Sequence, residues 1–311
     1  MKEFHIQEVS FRSDGLNCAG NLYLPLTNDK ALACIILANG FSGTMDWILP
    51  DFARRFAKAG FAAFTFDYRT FGKSEGDPRQ VINLKGQRSD LRNALKWVRN
   101  YEGIDRHRIA LWGTSLGGSH VIEVASTDNE IAAVIGNMPA LDVLKGANTK
   151  AKAKAANISR LQMVSATVRL LGSALLDVAK DKIGLSPHYL KVYGDVGEAI
   201  FTDPSLARRF NKVAESSPTW KNQVAARTIF NLPVYKEGTI ERITAPMFIA
   251  ISTKDIEVDP AFIRDKFSKA ENAEIKEYPY DHFSMYHEEP FEEVVTDQVN
   301  FLKEHLGPVT G

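Results

Sequence analysis

Along the chain, short continuous apolar runs alternate with segments whose apolar residues recur every three or four positions. Phe4, Ile6, Val9 and Phe11 alternate with polar residues, and LNCAGNLYLP follows the turn pair Asp14-Gly15. That pattern predicts two strands joined as a hairpin. ALACIILANG is continuously apolar up to Gly40, as expected of a central parallel strand covered on both faces. LPDFARRFAKAG predicts a helix closed by Gly60. FAAFTFDYR predicts another buried strand. Leu84, Leu91, Ala94, Leu95 and Val98 mark one face of a helix reaching about Tyr101. RIALW, IAAVIGNMPA and APMFIAIST are further strands, and SLGGSHVIEVAS starts a helix. FEEVVTDQVNFLKEHL closes the chain as a helix with Phe291, Val294, Val295, Val299 and Leu302 on one face. This alternation predicts the α/β class: a mostly parallel central sheet with helices on both faces and an antiparallel edge made by the hairpin.

From about Leu141 to Ile240 the alternation stops, and no convincing buried strand is visible. AKAKAANISRLQMVSATVRLLGSALLDVAKD predicts a long helix, with Leu161, Val164, Val168, Leu171 and Leu175 at helical spacing. SLARRFNKVAES and TWKNQVAARTIFNL predict shorter ones. The expected organisation is a core of residues 1–140 and 241–311 with a helical cap insertion at 141–240. Such a segment leaves and re-enters at the carboxyl ends of the strands, so it should lie over the crevice there. Its apolar helix face is expected to line a pocket with Met138, or else to associate with a second subunit as a homodimer. Lys145, Lys150, Lys152 and Lys154 are read as a solvated linker face.

With 311 residues, of which 44% are hydrophobic and 24% charged, the chain can bury a sizeable core. The formal net charge is zero, so no general attraction to nucleic acid or anionic lipid is expected. The two cysteines, Cys18 and Cys34, sit in apolar contexts and are read as buried reduced thiols. The N-terminal segment has no apolar core of signal-peptide type, and no stretch approaches the ~20 apolar residues of a spanning helix. The expectation is a soluble cytoplasmic protein without a membrane partner.

The stretch IALWGTSLGGSH carries the chemistry. A strand that turns sharply into a helix needs small neighbours two positions either side of the turning residue, here Gly113 and Gly117 around Ser115. The serine hydroxyl then stands exposed at the top of the sheet, and the Leu116 amide points at any oxyanion there. A serine needs a base, and the base needs an orienting acid. Of seven histidines, His282 lies in a loop after the last strand and before the closing helix; His287, flanked by Glu288 and Glu289, suits a capping role, and His120 sits inside the nucleophile helix. Asp255 is nearest the end of the strand MFIAIS; Asp259 precedes Pro260 and suits a helix cap. ANGFSG offers the Phe41 amide as second oxyanion donor, with Gly40 and Gly43 permitting close approach.

These residues resemble an α/β-hydrolase with a Ser-Asp-His triad, from about Val9 to Leu306. FDYRTFGKSEG resembles the loop that these enzymes carry after their fourth strand. FRSDGLNCAGNLYLP and DHFSMYH resemble a branch near dienelactone hydrolases, X-Pro-peptidase-like hydrolases and fungal polyketide thiohydrolases or transferases. Asn39-Gly40 replaces the usual His-Gly before the oxyanion loop, and Ser115 replaces the cysteine of dienelactone hydrolases. The resemblance implies a small-molecule acyl substrate and neither cofactor nor metal. Ser115, His282 and Asp255 would cleave a carboxylic ester or thioester of a hydrophobic molecule. An acyltransferase on the same triad, a peptidase, and a ligand-binding protein that kept the fold are the competing readings.

Overall fold

The protein is described by a computed structural model in which residues 3–26, 31–147, 151–152, 154 and 158–307 are placed. The alternating start of the chain forms the expected hairpin, β1 (Phe4–Ser13) and β2 (Leu16–Pro25), paired antiparallel with Ser13 opposite Leu16. Asp14 and Gly15 both take positive φ at the turn. The continuous apolar runs are β3 (Leu32–Ala38), β4 (Ala62–Phe66) and β6 (Ala133–Asn137), every residue of which is buried; β5 (Ile104–Thr114) is buried from Ile109 onward. After an insertion carrying β7 (Tyr189–Tyr193), β8 (Ala199–Phe201) and β9 (Val224–Ala225), the core resumes with β10 (Met247–Ser252) and β11 (Ala273–Tyr278). The main sheet runs β1-β2-β4-β3-β5-β6-β10-β11, parallel from β4 to β11.

Helices cover both faces. α1 (Leu49–Lys58) packs Phe52 at a tilt against Trp112 of β5, with ring centroids 4.6 Å apart, and edge-on against Phe291 of the closing helix at 4.9 Å. α2 (Leu84–Arg99) meets α3 (Leu116–Ala125) through a buried Gln87–His120 bond of 3.0 Å. α4 (Arg160–Lys182) and α5 (Ala207–Ser216) belong to the insertion, and α6 (Pro260–Phe267) and α7 (Glu288–Leu306) complete the core. Both cysteines are free and buried, and burial pushes the Cys18 thiol up to about 12.

The insertion departs from the all-helical expectation. Its strands make a second sheet, β8-β7-β9, where none was legible. TWKNQVAARTIFNL is not a helix but β9 followed by a 3-10 turn over Ala226–Phe230. Tertiary bonds decide this: Ala225 N–H donates to Gln80 O (2.8 Å) and Ala226 N–H to His188 O (2.8 Å), partners no local pattern announces. α4 starts at Arg160 behind a Ser159–Gln162 capping box. Residues 153 and 155–157 of the longer helix predicted there, and Lys150, lie outside the described residues.

The direction of α4 is the larger correction. The face built from Leu161, Val168 and Leu175 does not look into a pocket; these residues are 79%, 63% and 62% exposed. The opposite face, with Ala166, Ala174 and Asp177, is the buried one. Asp177 accepts the His188 amide at 2.8 Å and the Arg227 amide at 2.9 Å. By length and mean hydropathy α4 could cross a membrane, contrary to the expectation that no stretch comes near.

Three latches seat the insertion on the core. Trp47, just before α1, packs against Phe210 and Trp220 of the insertion, each at 5.9 Å, and Phe210 continues to Phe283 at 5.4 Å. Asp46 accepts from the Thr219 amide and hydroxyl, both at 2.9 Å, while its carbonyl accepts from Ser217 Oγ. Arg209 Nη1 donates to Asp281 at 2.7 Å and Nη2 to Ser284 Oγ at 2.7 Å. Trp220→Ala removes a large ring from this cluster and should cost about 3–5 kcal/mol. An urea melt showing less than about 1 kcal/mol lost would mean that the aromatic cluster does not anchor the insertion.

Candidate active site

β5 ends in Gly113-Thr114, and the chain turns into α3 at Ser115, whose φ is 51° and ψ is −117°. A non-glycine residue in this region is strained and persists only where its surroundings hold it. Here Ser115 N–H donates to Asn137 O (2.8 Å), and Ser115 O accepts from Ala140 N–H (2.9 Å). Glycine is required beside it. A Cβ on Gly117 would stand 2.2 Å from Ala38 O, and one on Gly113 would stand 2.3 Å from Gly117 O. The loop after β3 comes equally close, since a Cβ on Gly40 would lie 3.3 Å from Ser115 Cβ.

That loop carries Phe41, and the Asn39 side chain braces it. Asn39 Nδ2 donates to Thr44 O (2.7 Å) and Trp47 O (3.1 Å), and Oδ1 accepts from the Gly40 amide (2.8 Å). Asn39 therefore holds the loop through bonds at both ends of its amide. Leu116 is the first residue of α3, where an amide has no carbonyl one turn back to bond. Phe41 and Leu116 line the cavity in front of Ser115.

Asp255 follows β10, and its carboxylate is fully engaged. Oδ1 accepts from the amides of Glu257 (2.7 Å) and Val258 (3.0 Å), and Oδ2 meets His282 Nδ1 at 2.6 Å. His282 is buried, with the rings of Phe283 (5.1 Å) and Tyr286 (6.3 Å) edge-on to it. Tyr286 Oη is itself tied to Thr114 Oγ1 at 2.5 Å, so the histidine loop is fixed to the residue before Ser115. Ser115 and His282 share the walls of a small cavity of about 20 Å³ with Gly40 and Phe41. The other candidates lie elsewhere. Asp259 caps α6 through the Ala261 amide (2.9 Å), Asp281 is held by Arg209, and His120 bonds Gln87, where burial pushes it down to about 3. His287 is the N-cap residue of α7.

From Ser115 a second cavity of about 140 Å³ extends under the insertion, walled by Phe41, Ile82, Leu116, Val143, Ile200 and Leu232. Met138, expected there, lines neither cavity. It takes positive φ (42°) directly after β6, its amide donates to Ala250 O (2.9 Å), and its side chain is wholly in the core. The wall that Met138 was expected to supply comes from Ala140 and Val143. Three polar groups in the lining have no sequence signal. Glu257 is buried and paired with Lys152 at 2.5 Å, and Thr228 Oγ1 is buried without a hydrogen-bond partner among the described residues. Lys152 thus is not part of a solvated linker face. Among the described residues no group of three or more His, Cys, Asp or Glu side chains could hold a metal ion.

With this geometry in view, residues 29–293 match the family described as serine aminopeptidase, S33. The chain belongs to this α/β-hydrolase family. The α/β-hydrolase is 34% identical over 298 residues to the quorum-quenching protein AidA of Acinetobacter baumannii, covering 95% of this chain and 94% of that one. Over 136 residues it is 36% identical to the thiohydrolase aneE of Aspergillus aculeatus, covering 43% and 42% of the two chains. The crystal structure of the α/β-hydrolase GrgF from Penicillium superposes with a TM-score of 0.77 at 22% identity, covering 97% of this chain and 99% of that one, a likeness of fold.

The electrostatics of His282 have a readable consequence. Burial alone would push its pKa down, but the charge and hydrogen bond of Asp255, helped by Glu257, outweigh burial and raise it above the ordinary value of 6.5. A histidine raised on folding contributes stability below its ordinary pKa and loses it as pH rises through the folded value. For a histidine that serves as a base the sense is opposite, since only the neutral ring accepts a proton. The acid limb of the acylation rate should therefore have its midpoint above about 6.5. Asp255→Asn removes the raising charge, so the midpoint should move down while the rate falls about 10⁴-fold. A pre-steady-state pH profile checks both, and an unmoved midpoint would separate Asp255 from the titration.

Proposed function

We propose that the protein is a serine hydrolase that cleaves a carboxylic ester or thioester of a hydrophobic small molecule through an acyl-enzyme. The observation that carries this reading is that His282, held by Asp255 at 2.6 Å, faces the same cavity as the strained Ser115. In this mechanism Ser115 Oγ attacks the acyl carbon and its proton passes to His282 Nε2. Asp255 holds the Nδ1 proton, which fixes the tautomer and stabilises the imidazolium. The amides of Phe41 and Leu116 receive the oxyanion. Collapse expels the alcohol or thiol, which takes the proton from His282. Water, deprotonated by the same ring, then releases the acid and restores Ser115.

The apolar walls of the larger cavity support a hydrocarbon acyl group. The thiohydrolase name of one relative supports a thioester. An acyl-enzyme can also pass its acyl group to an alcohol, so water and added alcohols compete at the second step.

Ser115→Ala is expected to lower turnover of a simple acyl ester by roughly four to six orders of magnitude with the fold intact. Intact-protein mass spectrometry should trap the acyl adduct on the native chain and not on the variant. Full esterase activity in Ser115→Ala would defeat the reading. Each added methylene should raise kcat/KM about fourfold until the cavity is full. Ala140→Phe, which narrows the wall, should shift the optimum to shorter chains. A profile indifferent to length in both proteins would show that the cavity does not hold the acyl group.

A further inference from the structure

The outward face of α4 has a regular relief. Its midline residues are Leu161, Ser165, Val168, Gly172, Leu175 and Ala179, all exposed, at alternating spacings of four and three. Large and small side chains alternate strictly along this line. Val164 (58%), Leu171 (40%) and Leu176 (49%) flank it, and Ile183 (71%) and Leu185 (54%) extend it past the helix end. No charged residue stands on the midline between Leu161 and Ala179. Single exposed apolar residues are ordinary on a protein surface, but a continuous stripe of this length marks an interaction site.

The relief is self-complementary. When the helix is laid antiparallel on a copy of itself about a two-fold axis near residue 170, Leu161 meets Ala179 of the second copy. Ser165 then meets Leu175, and Val168 meets Gly172. Every large side chain faces a small one, and a two-fold axis repeats each pairing. The 3-4 spacing is that of a left-handed helix pair, which keeps one seam in contact over its length. The 23 residues of α4 span about 34 Å, which gives a strip of roughly 350–400 Å² per copy before side-chain relief is counted. With the extension through Ile183 and Leu185, two copies together reach the order of 1,000 Å² needed for a specific interface. We infer that the occupant of this face is a second copy of the chain, and that the protein is a two-fold dimer through antiparallel α4 helices.

A lipid surface would accept the same apolar residues but has no use for gaps at Ser165 and Gly172. Nor can α4 be immersed all round, because Asp177 on its inner face is bonded to the His188 and Arg227 amides. The pairing also bears on the pocket. The inner face of α4 packs on the turn Ala226–Phe230, which carries Thr228 and Ile229 of the cavity wall.

Gly172 allows a test that leaves the monomer alone. A Cβ there would meet nothing within 4 Å, so Gly172→Leu fits the single chain and improves its helix propensity. In the dimer it fills both holes that receive Val168. Sedimentation velocity should give twice 34.6 kDa for the native chain and 34.6 kDa for Gly172→Leu. The dissociation constant should rise roughly 100-fold or more, with thermal stability of the monomer retained. A native chain that is monomeric at micromolar concentration overturns the inference. So does a Gly172→Leu dimer as tight as the native one, which would place the interface elsewhere. If lipid were the occupant, Gly172→Leu would co-sediment with anionic vesicles more than the native chain, and that outcome also overturns it.

Discussion

The structure turns on one close backbone approach. Gly117, in the first turn of α3, lies so near the end of β3 that a single Cβ there would strike the carbonyls of Ala38 and Asn39. This contact fixes where α3 begins relative to the central strands. It sets Ser115 in a backbone conformation that side-chain-bearing residues avoid, and it brings the Gly40–Phe41 loop alongside the hydroxyl. Gly113 and Gly118 serve the same packing, against Gly117 and Pro139. Under the proposed mechanism the oxyanion donors are backbone amides of these two segments, so no side chain has to be ordered to supply them.

The second requirement is a histidine held in place. His282 sits in a loop, and loops are mobile unless their neighbours restrain them. Here Tyr286 ties that loop to Thr114, Asp255 holds the ring, and Asp281 is locked by Arg209. Burial works against the Asp281 charge, but Arg209 and Ser284 more than offset it and hold the carboxyl down at about 2. The loop therefore keeps its ion pair through the range in which His282 titrates.

Much of this was legible in the sequence, for a physical reason. Parallel strands buried on both faces must be continuously apolar, so β3, β4, β6 and β10 announced themselves. A strand that turns into a helix over a serine needs glycines around it, so Ser115 did too. Asp255 and His282 followed from their positions after the strands they close, and the structure brings those two side chains together. The insertion was poorly legible because its stability comes from contacts that leave no periodic trace. β9 is held by Gln80 and His188, and Trp47 reaches Phe210 and Trp220 from more than 160 residues away in sequence. The apolar stripe of α4 was read correctly as a stripe, but periodicity does not say whether a face turns inward or outward. Met138 was misplaced because a chain leaving a strand in a left-handed turn can send its side chain back into the core.

The latches at Asp46 and Arg209 bear on how such an enzyme could change over evolutionary time. An insertion over an active site is easily pictured as an exchangeable module, swapped between relatives to alter what the enzyme accepts. In this protein the insertion also grips the segment behind the Gly40–Phe41 loop and the segment that carries His282. A transplanted insertion would arrive without its grips unless residues 46, 47 and 281 travelled with it. The heritable unit is therefore discontinuous: a block of about a hundred residues together with three distant side chains, which selection would have to keep in step.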